Sequence, residues 1–204
     1  MLARLLRICA ETSGAALTEA AIVMPLFMVF TGGLVDFSLA FYQWNAASKA
    51  VQVGARLAAV SNPIDGALSS LTGLEGGAAA GDPFPPFATV CSGASSTCTG
   101  LGNSSYSASA MNTLVYGRGE AACGTSGPDQ FPGMCDVFDR IRPQNVIVSY
   151  RHTGLGFAGR PGGPVPTITV ELTGLTFNLV FLGGSITMPP MRTTVTGEDL
   201  STSN

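Results

Sequence analysis

The feature that most constrains this chain is a strongly apolar run, free of charge, between Glu19 and Asp36. With its apolar flanks it covers about residues 15–41, and a membrane-spanning helix needs roughly 20 mostly apolar residues. The helical pattern continues until Asn62-Pro63, because a residue that precedes proline avoids the helical region. The sequence therefore predicts one helix over residues 15–60, about 69 Å long, which is roughly twice the thickness of a bilayer core. We expect its first part to span the membrane and its outer part to project from it.

The residues around the apolar run are compatible with three kinds of N-terminal segment. Arg4 and Arg7 precede it and favour a cytoplasmic N-terminus by the positive-inside rule. The segment could be a secretory signal peptide that is cut at a small-x-small site such as Ser38-Leu39-Ala40. It could also be an uncleaved signal anchor, or a helix that is processed at its N-terminal edge.

Gly14 and Glu19 favour processing at the edge. A carboxylate next to hydrocarbon costs roughly 2.5–3.5 kcal/mol on insertion scales, so it is by default a functional residue that needs a partner. Glu19 follows Ala15 by four residues and shares a helical face with it. Cleavage between Gly14 and Ala15 would create an α-amine. That amine, on the same chain or better on a neighbouring subunit, would neutralise Glu19 where the dielectric constant is low.

The outer part of the predicted helix carries a stripe of small residues at every fourth position, namely Ala46, Ala50, Gly54 and Ala58. Small residues allow another helix or a sheet to approach the backbone closely. Two partners fit this stripe equally well: the globular head of the same chain, or another subunit.

The helix start, GAALTEAAIVMPLF from position 14, resembles the class III (type IV-like) prepilin processing site. More closely, residues 12–60 resemble the TadE-like pseudopilins and minor pilins of the tight-adherence (Tad/Flp) pilus system. The positions that carry the resemblance are Gly14, Ala15, Glu19, Pro25, Phe37 and residues 54–58.

The resemblance implies a bacterial, single-pass protein of the inner membrane with a periplasmic or extracellular head. It implies that a prepilin peptidase cuts after Gly14, which makes residues 1–14 a leader. It further implies that Glu19 guides register during assembly, and that other pilin or pseudopilin subunits are partners through the N-terminal helix.

The remaining chain, residues 61–204, contains four cysteines: Cys91, Cys98, Cys123 and Cys135. An even number in an exported segment indicates two disulfides, for which three pairings exist. We favour the local pairs Cys91–Cys98 and Cys123–Cys135, because each closes a short loop in a glycine-rich segment. A four-cysteine zinc site is the rival, but zinc ribbons place their paired cysteines two to four residues apart.

An alternation of apolar and polar residues begins near Gln144 and predicts strands at residues 145–151, 167–172, 176–182 and 192–196. Residues 108–117 are predicted to form a short helix. We therefore expect an α+β fold in which the long helix packs on a small antiparallel sheet of three or four strands. Alternate strand residues should face the helix, namely Val146, Val148, Ile168, Val170 and Leu172.

Composition argues against several functions. The net charge is −3 and no basic stripe is present, which speaks against nucleic-acid binding. His152 is the only histidine, and no nucleophile motif accompanies it, so we expect no catalytic site, cofactor or metal. We expect a structural component of a tight-adherence pilus. The alternative is a membrane-anchored extracytoplasmic binding module with an uncleaved signal anchor.

Overall fold

One long helix makes up the N-terminal part of the residues that the structure describes. In the computed structural model, which describes residues 12–119, 122–124 and 131–197, this helix (α1) runs from Thr12 to Ala59. By length and composition it is able to cross a membrane, with a mean hydropathy of 1.9 near the N-terminus. The predicted leader, residues 1–14, lies largely outside the described residues, and so do the last seven residues of the chain.

Two hydroxyl side chains in the apolar part of α1 bond to the helix itself. The Thr31 hydroxyl donates to the carbonyl of Phe27 at 2.8 Å, and the Ser38 hydroxyl donates to the carbonyl of Leu34 at 2.8 Å. A hydroxyl that bonds to the preceding turn needs no water. These residues are therefore compatible with an apolar surrounding.

The chain packs as two units, and their boundary falls within α1. The first comprises the helix up to Tyr42 together with Phe177–Ile186, and the second comprises Gln43–Thr176 together with the chain from Thr187. The remaining helices are α2 (Ala67–Ser70), α3 (Ala108–Tyr116), α4 (Met134–Val137) and a 3-10 turn at Pro143–Asn145. The strands are β1 (Ala88–Ser92), β2 (Thr97–Thr99), β3 (Val146–His152), β4 (Pro166–Leu172), β5 (Thr176–Asn178), β6 (Ser185–Thr187) and β7 (Met191–Thr196).

The second unit is built on a five-stranded antiparallel sheet with the order β2-β1-β3-β4-β7, which confirms the α+β prediction. Burial alternates along β3 and β4, as a sheet with one covered face requires. The buried side chains include all five that the alternation selects: Val146, Val148, Ile168, Val170 and Leu172.

The last turns of α1 lie within the core of this unit. Ala50, Gly54 and Ala58 are buried, and Ala46 is half-buried. A Cβ on Gly54 would come within 2.5 Å of the Met134 sulfur, so the Met134 side chain would have to move to admit any larger residue. Of the two partners considered for the small-residue stripe, the structure therefore places the protein's own head against it.

The remaining sequence predictions differ in their outcome. The helix α3 and the strands β3, β4 and β7 lie where the sequence places them, within one residue or so at each end. Strands β1 and β2 were not predicted, because they are short and lie in a segment rich in serine, threonine and glycine. The prediction of one strand over residues 176–182 is wrong beyond Asn178, where the chain turns instead.

The four head cysteines are paired as Cys91–Cys98 and Cys123–Cys135, the pairs that the sequence analysis favours. Cys91 and Cys98 are direct neighbours across β1 and β2. This disulfide therefore closes the tight turn at one edge of the sheet.

Candidate functional site

The first unit exposes apolar side chains on every side of the first five turns of α1. In its first five turns the large apolar side chains are between 60% and 73% exposed. Successive residues of a helix point about 100° apart, so a run of exposed neighbours gives an apolar surface all round. Such a surface suits contact with lipid or with other helices. It comprises Leu17, Ile22, Val23, Met24, Leu26, Phe27, Met28, Val29 and Phe30.

The residues predicted for processing and assembly lie at the start of this surface. Gly14 and Ala15 are both helical, and Gly14 is exposed, with no atom within 4 Å of the place where a Cβ would be. Glu19 is exposed one turn later. The structure thus leaves the Glu19 carboxylate accessible from outside the subunit, while its predicted pairing with the Ala15 amine stays a prediction.

A second carboxylate, Asp36, marks the other end of the apolar run, and sequence reasoning assigned it no role. Its side chain is 97% buried by the loop that joins β5 to β6. One carboxylate oxygen accepts the backbone N–H of Val180 at 2.8 Å. The other accepts those of Phe181 and Leu182 at 3.0 and 2.9 Å. We call the segment Phe177–Ile186 the β5–β6 hairpin.

Two glycines on α1 allow the β5–β6 hairpin to approach. A Cβ on Gly32 would lie 2.8 Å from the Cβ of Phe181, which is closer than real Cβ atoms come. A Cβ on Gly33 would make an ordinary contact of 3.7 Å with Leu182. The contact between α1 and the hairpin therefore depends on the absence of a side chain at Gly32 in particular.

Signals for this contact were present in the sequence. Asp36 is the charge that ends the apolar run, and Gly183-Gly184 is a turn signal that argues against a strand through residue 182. Both glycines adopt positive φ values, 70° and 95°, which disfavour other residues. Nothing in the sequence, however, connects Asp36 to amides nearly 150 residues away.

The second unit has its own buried carboxylate, Asp65. One of its oxygens accepts the hydroxyls of Thr89 at 2.6 Å and Ser104 at 2.8 Å, and the other accepts the backbone N–H groups of Ser105 and Ala67. Burial acts to raise the pKa of Asp65, but these four hydrogen bonds outweigh it, and the pKa is lowered from its ordinary value.

Asp65 lies near a disulfide rather than near free thiols. Its carboxylate and the sulfurs of Cys91 and Cys98 fall within 4.8 Å of one another, a spacing that would suit a metal ion. Both sulfurs are joined in the disulfide and lack the thiolate form that binds metals. We therefore assign Asp65 a structural role: it ties the segment after α1 to β1 and to the segment before α3.

An apolar helix that is long enough to cross a membrane, together with a small antiparallel sheet, gives the described residues an α+β fold with a pilin-like plan. Residues 14–56 of this chain match the family of TadE-like proteins, which confirms the resemblance based on Gly14, Glu19 and Pro25. The family is associated with the Tad pilus, and the match covers most of α1. Neither a curated protein nor a solved structure shows a significant match to the chain.

Proposed function

We propose that this chain is a structural subunit, a minor pilin or pseudopilin, of a tight-adherence pilus, with no enzymatic activity of its own. The observation that carries the proposal is the family match over residues 14–56, which includes both the Gly14-Ala15 bond and Glu19. The exposed apolar surface of α1 supports it, because a helix that is apolar all round is normally buried among other helices or in a membrane.

In this proposal the subunit waits in the inner membrane with its N-terminus in the cytoplasm and its head outside. A prepilin peptidase cuts after Gly14, and the new amine of Ala15 pairs with Glu19 of a neighbouring subunit. The apolar helix then exchanges lipid for other helices. This exchange has little net hydrophobic cost, because lipid tails are as apolar as leucine side chains.

The burial pattern of α1 favours one surface for this assembly. The small residues of its outer part, among them Ala50 and Gly54, are covered by the protein's own head. The exposed apolar residues between Leu17 and Tyr42 are not covered in this way. We therefore place the helix–helix contacts of pilus assembly on the part of α1 between Leu17 and Tyr42.

The mass of the mature protein, isolated from cells that make the pilus, tests the proposal. We expect an N-terminus at Ala15 and co-isolation of the protein with sheared pilus fibres or with the pilus base. An N-terminus at Met1 in a protein absent from both fractions would favour the anchored binding module instead. An N-terminus at Phe41 would indicate a secreted protein that has lost its span.

A further inference from the structure

The β5–β6 hairpin has the surface of a membrane-inserted segment. The sequence carries no charge between Glu171 and Arg192. At the hairpin tip Val180 is 69% exposed and Phe181 64%, and Leu182 and Ile186 are more than half exposed. Asn178, Ser185 and Thr187 form polar shoulders on either side of this tip.

Four successive backbone N–H groups of the tip, those of residues 179–182, have partners within the protein. Three consecutive N–H groups, those of Val180, Phe181 and Leu182, donate to the Asp36 carboxylate, and the N–H of Leu179 donates to the carbonyl of Gly184. In water these amides could bond to solvent and would need no protein partner, and the exposure of the apolar side chains would cost free energy. In hydrocarbon the amides require partners and the side chains are favourable. The hairpin combines the two features that suit hydrocarbon.

Asp36 and Glu19 lie at opposite ends of the apolar run. When α1 spans the membrane from the cytoplasmic side, the hairpin tip that is bound to Asp36 therefore lies at the depth of the outer leaflet. Asp36 follows Glu19 by about 26 Å along the helix, and a hydrocarbon core is about 30 Å thick. Phe181 packs on Gly32, which is one turn, or about 6 Å, closer to Glu19 than Asp36 is. The Phe181 ring therefore lies on the hydrocarbon side of the Asp36 carboxylate.

We propose that the β5–β6 hairpin is a second membrane contact of this protein, with its tip among the lipid acyl chains beside the α1 span. The occupant is lipid rather than a second protein because the apolar surface of the tip is continuous with that of the span. Between them lies an apolar cleft of about 360 Å³, lined by Met28, Val29, Val35, Phe181 and Leu182, which suits an acyl chain. The inference requires α1 to span the membrane but does not require pilus assembly.

Tryptophan quenching in lipid vesicles tests this inference on the full chain. Trp44, the single tryptophan, is replaced by phenylalanine, and one reporter is then introduced at a time. Phe181→Trp reports on the hairpin, Phe30→Trp on the span, and Phe131→Trp is the matched control, with a ring that is 60% exposed in the second unit. The quenchers are phosphatidylcholine with brominated acyl chains, and iodide in the aqueous phase.

We expect the reporters at 181 and 30 to lose emission in the brominated vesicles and to resist iodide, while the reporter at 131 responds in the opposite way. Val180→Trp repeats the measurement beside 181, in case a larger ring there disturbs the contact with Gly32. Quenching by iodide at both 181 and 180, with the reporter at 30 still quenched by lipid, would overturn the inference and leave the span intact.

Two other outcomes would also overturn the inference, and each would indicate a different environment for the hairpin or for α1. Shielding of 181 and 180 from both quenchers, dependent on the protein-to-lipid ratio, would mean that a neighbouring subunit covers the tip. Quenching of the reporter at 30 by iodide would mean that α1 does not span the bilayer, and the membrane location in the proposed function would then fail as well.

Discussion

Two buried carboxylates, Asp36 and Asp65, organise the described part of the chain, and hydrogen-bond donors satisfy both of them. Asp36 receives three backbone N–H groups, and Asp65 receives two N–H groups and two hydroxyls. A buried ionised group is tolerated only when such partners replace the lost water. Each carboxylate thereby joins segments that are distant in the sequence, and neither role is visible in its local sequence.

At Asp65 we expect acid-sensitive stability. Because folding lowers its pKa, the ionised side chain stabilises the fold above the ordinary value of 3.8, and this contribution is lost as the pH falls through the folded-state pKa. Asp65→Ala should lower the free energy of unfolding by about 3 kcal/mol at neutral pH, since it removes hydrogen bonds to a charged group. It should also flatten the decline in stability below about pH 4.

Denaturant unfolding of the full chain in detergent, followed at several pH values, measures this effect. Asp139→Ala removes an exposed carboxylate and serves as the control, with an expected change within about 0.5 kcal/mol. An Asp65→Ala variant with the stability and acid dependence of the unaltered protein would contradict the assignment.

Among the elements, α1 combines two environments in one continuous helix. Up to Tyr42 its apolar side chains are exposed, whereas from Gln43 its small residues are buried in the head. The β5–β6 hairpin differs from the strand that its sequence pattern predicts. Residues 176–182 alternate as a strand does, yet the strand ends at Asn178, and the amides of residues 180–182 bond to the Asp36 side chain of α1 instead of to a neighbouring strand.

Gly32 and Gly33 provide a matched pair for testing the contact between α1 and this hairpin. Gly32→Ala should displace the hairpin, because the added Cβ would lie 2.8 Å from Phe181, whereas Gly33→Ala should be tolerated at 3.7 Å from Leu182. Hydrogen exchange of the peptide that covers residues 177–186 measures the difference. We expect faster exchange at residues 180–182 in Gly32→Ala only, and equal protection in both variants would show that the close approach is not required.

For the whole molecule, the division into two units separates two tasks. The second unit has a disulfide-stapled sheet and a core that includes the last turns of α1, whereas the first unit presents apolar surface outward. The part of α1 from Gln43 onward thus contributes to the core of the head, whereas the part up to Tyr42 is available for contact with lipid or with other subunits. Under the proposed function, assembly depends on the first stretch alone.

Glu19→Ala tests that assignment at the scale of the assembled pilus. The variant should enter the membrane at least as well as the unaltered protein, because a charge near hydrocarbon is removed. Its incorporation into the pilus should fall, because the partner for the Ala15 amine is lost. Immunoblots of membrane and sheared-pilus fractions measure both quantities, with Asp139→Ala as the charge control. Normal incorporation of Glu19→Ala would show that the carboxylate does not guide assembly.

What the sequence by itself determined is what depends on local pattern. The long helix and the strands β3, β4 and β7 are readable from composition and periodicity over short windows, and the short segment around Gly14 and Glu19 carries the resemblance to the TadE-like family. The tertiary structure alone decided which surface covers the stripe that contains Ala50, and what satisfies Asp36. Both answers depend on contacts between segments that are far apart in the chain. A local pattern indicates that a buried carboxylate or a small-residue stripe needs a partner, but it does not identify the distant segment that provides one.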